Sequence, residues 1–110
     1  MEKLKNATGQ IAILYSTGYG SGWYSWNEDY PQIVFHPELV NAVLKCQECD
    51  LEGDEKINFL TPIAERLVPN VYLGGLDGLT IEWLEEGTAF QIEEYDGFEQ
   101  IKILGHCLCT

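Results

Sequence analysis

Glycine cuts the last third of this chain into short pieces. Gly74-Gly75, Asp77-Gly78, Glu86-Gly87 and Asp96-Gly97 lie between runs in which apolar residues alternate or cluster: Val71 to Leu73, Leu79 to Leu84, Thr88 to Glu93 and Gln100 to Leu104. Such dipeptides supply the residue types that tight turns require, and the runs between them have strand composition. In Leu79-Thr80-Ile81-Glu82-Trp83-Leu84 the odd positions are apolar and are expected to face a core. The spacing predicts a C-terminal antiparallel β-meander.

The middle of the chain has a different period. His36-Pro37-Glu38 reads as a helix entry, because proline fits the first helical turn and an acid there complements the dipole. Leu39, Val40, Val43 and Leu44 recur at helical spacing, which carries that helix to about Lys45 or Cys46. Cys46 to Glu55 reads as a polar loop. Ile57, Leu60, Ile63, Ala64 and Leu67 then share a helical face from Asp54 onward, but Pro62 interrupts it at a cost of ~3 kcal/mol. That cost favours a shorter helix, with Thr61 as N-cap and Pro62 first inside, ending before Pro69.

Before the helices, Gln10 to Ser16 reads as a buried strand, followed by the glycine-rich segment Thr17 to Gly22 and by Trp23-Tyr24-Ser25-Trp26. Asn27 to Pro31 has turn composition, and Gln32 to Phe35 reads as a second short strand. The expectation is one α+β domain over residues 1–110. It has an N-terminal strand with a Gly/Trp-rich loop, two short helices and the β-meander.

Charge narrows the choice of partner. Eighteen acidic residues against six basic give a formal charge of −12. Nucleic-acid binding draws its affinity from cations that neutralise phosphates, so direct binding to nucleic acid is disfavoured, as is an anionic membrane. A basic protein surface is favoured, with plain solubility as the alternative use of the charge. No apolar run reaches the ~18 residues of a membrane span, and no signal-like stretch follows Lys3 and Lys5. The expected location is the cytosol.

Three motifs are candidates for chemistry. Gly18-Tyr19-Gly20-Ser21-Gly22 follows a strand but matches neither the dinucleotide fingerprint nor the phosphate loop, and no lysine lies between Lys5 and Lys45. It reads as a packing turn, or as a loop whose aromatics Trp23, Tyr24 and Trp26 meet a partner. Cys46-x-x-Cys49 and Cys107-x-Cys109 form two close pairs, and four thiolates in a tetrahedron would hold a structural zinc ion joining the helix end to the C-terminal tail. Ordinary thiols are the equal alternative, and a redox pair is a weak one, since Glu48, Asp50 and Glu52 would raise a thiol pKa. The carboxylate pairs Glu85-Glu86 and Glu93-Glu94 read as solvated surface or as part of an acidic partner-binding face. His36 and His106 sit in no catalytic pattern, so no enzymatic activity is expected.

Gly18-Tyr19-Gly20-Ser21-Gly22-Trp23-Tyr24-Ser25-Trp26-Asn27 and Gly87-Thr88-Ala89-Phe90-Gln91-Ile92-Glu93-Glu94-Tyr95-Asp96-Gly97 resemble segments of small, largely uncharacterised proteins encoded by bacteriophages and prophages. Pro37-Glu38-Leu39-Val40 and Val71-Tyr72-Leu73-Gly74-Gly75 lie between them in similar order, so the resemblance spans about residues 10 to 104. The cysteine pairs fall outside that pattern. The resemblance implies an antagonist of host defence, most concretely an anti-CRISPR inhibitor that binds the basic surface of a Cas effector and blocks the nuclease or its DNA loading. Two other readings follow from the same context. One is a sponge for a nucleotide-derived signal, which needs Lys45, Lys56, Arg66 and Lys102 to converge. The other is a virion structural or assembly component.

Overall fold

A computed structural model describes residues 3–18, 22–103 and 108–110. The first strand, β1 (Gln10–Ser16), is buried on both faces, with Ile11, Ala12, Ile13 and Leu14 all shielded from solvent. It pairs antiparallel with β2 (Leu79–Glu85), placing Ala12 opposite Trp83 and Leu14 opposite Ile81. In β2 the expected alternation holds for Leu79, which is buried, and for Ile81 and Trp83, which are half-buried, while Glu82 faces water.

The remaining strands, β3 (Ala89–Tyr95), β4 (Phe98–Ile103) and β5 (Leu108–Cys109), form a second antiparallel sheet in the order β4-β3-β5. Asp96 and Gly97, with φ of 52° and 87°, make the two-residue turn between β3 and β4. Positive φ at both positions is the hairpin geometry that Asp-Gly favours. The described residues are α+β, with two α-helices and antiparallel sheets, as the periodicity of the sequence indicates. The C-terminal strands divide between two sheets because β2 takes β1 as its partner. Val71 to Leu73 forms no strand.

Helix α1 (Pro37–Glu48) begins where expected and is capped by its own histidine: the backbone N–H of Glu38 donates to His36 Nδ1 at 3.3 Å. Leu39, Val40, Val43 and Cys46 are buried. The helix closes with Asp50 in the left-handed region (φ 55°), where the Leu51 N–H donates to the Cys46 carbonyl at 2.9 Å. This 6→1 bond is the Schellman closure of a helix end.

Further local expectations are corrected, and of the segment Cys46 to Glu55 expected as a loop, Cys46 to Glu48 end α1 and Gly53 to Glu55 begin the next helix. Helix α2 runs over Gly53–Leu67, with Pro62 inside it and no start at Thr61. Proline removes the N–H that would reach the carbonyl of Asn58, but both Asn58 and Pro62 lie on the exposed side, where water can serve that carbonyl. Thr61 Oγ1 instead donates to the Ile57 carbonyl at 2.7 Å. Burial of Leu60 and partial burial of Ile57, Phe59, Ile63 and Leu67 outweighs ~3 kcal/mol, since each fully buried side chain contributes about 1.5–3 kcal/mol. The segment expected as a second strand is a 3₁₀ turn, Pro31–Val34, with Pro31 in its first turn and the Phe35 N–H closing on the Gln32 carbonyl. Its Ile33 and Val34 are buried all the same.

Candidate partner interface

The loop after β1 is organised by a carboxylate from the other sheet. Glu99, on β4, is fully buried. Its Oε1 accepts the backbone N–H of Ser16 at 2.9 Å; its Oε2 accepts the N–H groups of Trp23 (2.9 Å) and Ser25 (2.8 Å) and the Ser25 hydroxyl (2.9 Å). An isolated buried carboxylate costs several kcal/mol, and bonds of this charge-assisted kind offset that cost. Backbone approach is close here: a Cβ on Gly22 would overlap Ser25 Oγ and come within 2.9 Å of Glu99 Oε2. The amides of Ser16, Trp23 and Ser25 thus already hold an anion, one supplied by the chain itself.

This arrangement sorts the aromatic residues. Trp23 is wholly buried, with its indole Nε1–H donating to the Ile33 carbonyl at 3.2 Å. Tyr24 is buried too. Neither offers much surface to a partner, so of the two readings of this loop, packing or contact, these two residues take packing, against their place among the candidate partner contacts. Trp26 does: 57% of it is exposed, at the end of the 3₁₀ turn Tyr24–Trp26.

Trp26 lies beside Tyr72, itself 54% exposed, with ring centroids 5.6 Å apart and planes tilted by 35°. Asn27 brings the two together. Its side chain, nearly buried, donates from Nδ2 to the Tyr72 carbonyl at 2.8 Å and to the Trp23 carbonyl at 2.9 Å. Its Oδ1 accepts the Tyr72 N–H at 2.7 Å. A side-chain amide that answers both backbone groups of one residue fixes that residue as a strand neighbour would. Glu28 and Asp29, both exposed, then form the tip of a turn closed by the Tyr30 N–H on the Asn27 carbonyl. Neither Asn27 nor Glu99 carries a signal in the sequence: one reads as a turn residue, the other as one more surface acid.

The charge is distributed outward. Every described acidic residue except Glu99 is exposed, including Glu85, Glu86, Glu93 and Glu94. The cations are largely engaged. Lys5 pairs with Glu86 (3.0 Å), Arg66 with Glu38 (3.4 Å) and Lys102 with Glu93 (3.4 Å). Lys3 donates to the Cys109 carbonyl and lies 4.1 Å from the Phe35 ring centre. Lys56 is buried on α2 and donates to the Leu79 carbonyl at 2.6 Å. Lys45, Lys56, Arg66 and Lys102 therefore do not form one phosphate-binding cluster: Arg66 and Lys56 lie at opposite ends of α2, and Lys102 lies on the second sheet.

Burial pushes the Lys56 ammonium below its ordinary pKa, against the opposing influence of Cys46, Asp77 and Glu52. Burial likewise raises the Cys46 thiol, while nearby Lys56 pulls it down. Of the expected zinc ligands, Cys46 is buried, Cys49 and Cys109 are exposed, and Cys107 lies outside the described residues. Among the described residues no three His, Cys, Asp or Glu side chains gather around a metal position. The C-terminal tail has other ties: β5 pairs with β3, and Thr110 Oγ1 donates to the Glu85 carbonyl at 2.7 Å.

A shallow cleft of about 210 Å³ lies between Tyr30, His36, Val68 and Val71. It is smaller than the roughly 300–1,000 Å³ of small-molecule sites. Two more open hollows, of about 460 Å³ beside Lys3, Leu4, Lys5 and Pro37 and about 410 Å³ beside Cys46, Asp50, Glu52, Lys56 and Asp77, lie elsewhere on the surface. Among the described residues no helix is long and apolar enough to cross a membrane. Comparison with protein-family models, with curated proteins and with solved structures finds no significant match to this chain.

Proposed function

We propose that this chain is an acidic binding protein that covers a basic surface on a partner protein. In its most concrete form it is a phage-encoded inhibitor that keeps a Cas nuclease from its DNA. One observation carries the reading: every described acid but Glu99 faces solvent, while at least five of the six cations are already paired or buried. A surface with that balance attracts a nucleic-acid-binding groove by the same electrostatics that draws DNA there. The exposed carboxylates Glu85, Glu86, Glu93 and Glu94 supply steering, and Trp26 supplies an anchor, because aromatic side chains carry much of the energy at protein interfaces.

The test is binding of the purified chain to Cas effectors of the source host, with and without guide and target DNA. Affinity should fall at least roughly tenfold between about 0.05 and 0.5 M salt, and target DNA should compete. Failure to bind any such effector ends the concrete form. Binding that ignores salt ends the electrostatic reading itself.

A further inference from the structure

Resting on the reading above, we infer that the Trp26–Tyr72 pair is an arginine-receiving site, at which a guanidinium of the basic partner stacks on the exposed aromatic faces beside Glu28 and Asp29. The pair is built before any partner arrives. Asn27 holds the Tyr72 backbone through two hydrogen bonds, at 2.7 and 2.8 Å. The Trp26 ring lies close over Gly22, where a Cβ would come within 3.1 Å of its Cδ1. Gly22 in turn lies against the Ser25–Glu99 bond network. Each residue is still a little more than half exposed. Two paired aromatic side chains on a backbone already fixed by hydrogen bonds leave less to order on binding, as an interface anchor requires.

The charge around the pair decides among occupants. A second copy of this chain brings another −12 and is repelled. A nucleotide brings phosphate, and the loop amides of Ser16, Trp23 and Ser25 already hold Glu99 in its place. An apolar side chain would stack but would gain nothing from Glu28 and Asp29 at the tip of the adjoining turn. A cationic side chain gains from both. Arginine is favoured over lysine because its planar, weakly hydrated guanidinium stacks on aromatic faces while its edge donates to carboxylates.

The experiment titrates the ¹⁵N-labelled 110-residue chain with oligo-arginine and oligo-lysine peptides of equal length, and in parallel with nucleoside monophosphates. Its readouts are affinity and the indole N–H signal of Trp26, assigned with Trp26→Phe. The expected result is a saturating shift of that signal with the arginine peptide, which binds roughly tenfold tighter than the lysine peptide. Trp26→Ala and, separately, Tyr72→Ala should abolish the preference for arginine while leaving weaker, salt-sensitive binding to both peptides. Both side chains are largely exposed, so an unchanged melting temperature shows that each variant is folded. Equal binding of the two peptides with the Trp26 signal unmoved overturns this inference and leaves the acidic-surface reading standing. A Trp26 shift caused by nucleoside monophosphates alone overturns it in favour of base stacking. Binding of neither peptide at low salt overturns both.

Discussion

The backbone N–H of Trp23 donates to Glu99 Oε2 at 2.9 Å, joining positions 76 apart in sequence. Through that bond the β3–β4 hairpin sets the path of the loop that follows β1. Trp23 is thereby held in the core, and Trp26 is left on the surface three residues later. Glu99→Ala would leave three backbone N–H groups and a hydroxyl facing no acceptor. Each unsatisfied buried donor costs about 1–3 kcal/mol, and water entering the space will serve some of them. The expected loss is ~3–5 kcal/mol in urea unfolding. Glu99→Gln should cost less but remain destabilising, because its amide NH₂ would confront N–H donors. A loss below about 1 kcal/mol for the alanine variant would show that the carboxylate does not organise the loop.

Two glycines of the same loop should respond differently to a methyl group. A Cβ on Gly22 would overlap Ser25 Oγ, whereas one on Gly18 would meet nothing nearer than 3.9 Å. Gly22→Ala is therefore expected to destabilise by roughly 1–3 kcal/mol and to alter the Trp26 indole signal. Gly18→Ala should change stability by less than about 0.5 kcal/mol. Thermal melts of the two variants side by side provide the check, and equal costs would count against the packing at Gly22.

At the end of α1, Asp50 holds a left-handed conformation that glycine adopts freely, and it places a negative charge at the helix's negative pole. Asp50→Gly should stabilise the chain by about 0.5–1 kcal/mol, read as a higher melting temperature. A decrease would mean that the Asp50 carboxylate makes a compensating contact.

Much of the fold was legible because it follows from local pattern. The helical spacing of Leu39, Val40 and Val43, the Asp96-Gly97 turn and the apolar run of β1 each specify their element with no knowledge of the rest. Where the reading departed from the structure, tertiary packing overrode a local rule. Pro62 stands inside α2 because its missing hydrogen bond falls on the wet side of the helix. Ile33 and Val34 fill the core from a 3₁₀ turn as readily as a strand would have placed them. The candidate site was half legible. Trp26 stood out by type, but Trp23 and Tyr24 shared that type and proved to be core. The groups that decide which aromatic is exposed, Glu99 and Asn27, act at long range, and a single sequence carries no sign of contacts between residues 23 and 99 or between 27 and 72.

Lys56 gives the protein a signature at alkaline pH. Burial lowers its pKa in the folded state from an ordinary value of 10.5. Between the lowered value and 10.5 the unfolded chain binds a proton that the folded chain does not, so this group's contribution to stability rises with pH. The burial penalty on the charged amine is felt in full only below that window. Lys56→Met removes the effect, so the stability of this variant relative to the parent should be greatest near neutral pH and should decline as pH approaches 10.5. Tyr15 is shifted upward by burial and makes both proteins less stable above its ordinary value of 10.0, which cancels in the difference, whereas Cys46, which Lys56 pulls down, rises further in the variant and adds to the same decline. A pH-independent difference in urea midpoints would show that Lys56 titrates normally.

The cysteines should separate by burial. Cys46 is shielded in the core and its thiol is held protonated by burial, whereas Cys49 and Cys109 are exposed. Thiolate is the reactive form, so an aromatic disulfide reagent at pH 8 should consume Cys49 and Cys109 quickly and Cys46 only on the timescale of unfolding. Cys107→Ser removes the fourth thiol and leaves a two-fast, one-slow count. The same assay on the parent chain tests the zinc site that the pairing of Cys46 with Cys49 and Cys107 with Cys109 brings to mind. Thiolates bound to zinc are protected until a chelator removes the ion, so slow reaction at all four positions, released together by chelator with one zinc per chain in native mass spectrometry, would join the helix end to the tail through metal. Fast reaction at Cys49 and Cys109 without chelator would leave β5 and the Thr110–Glu85 hydrogen bond as what orders that tail.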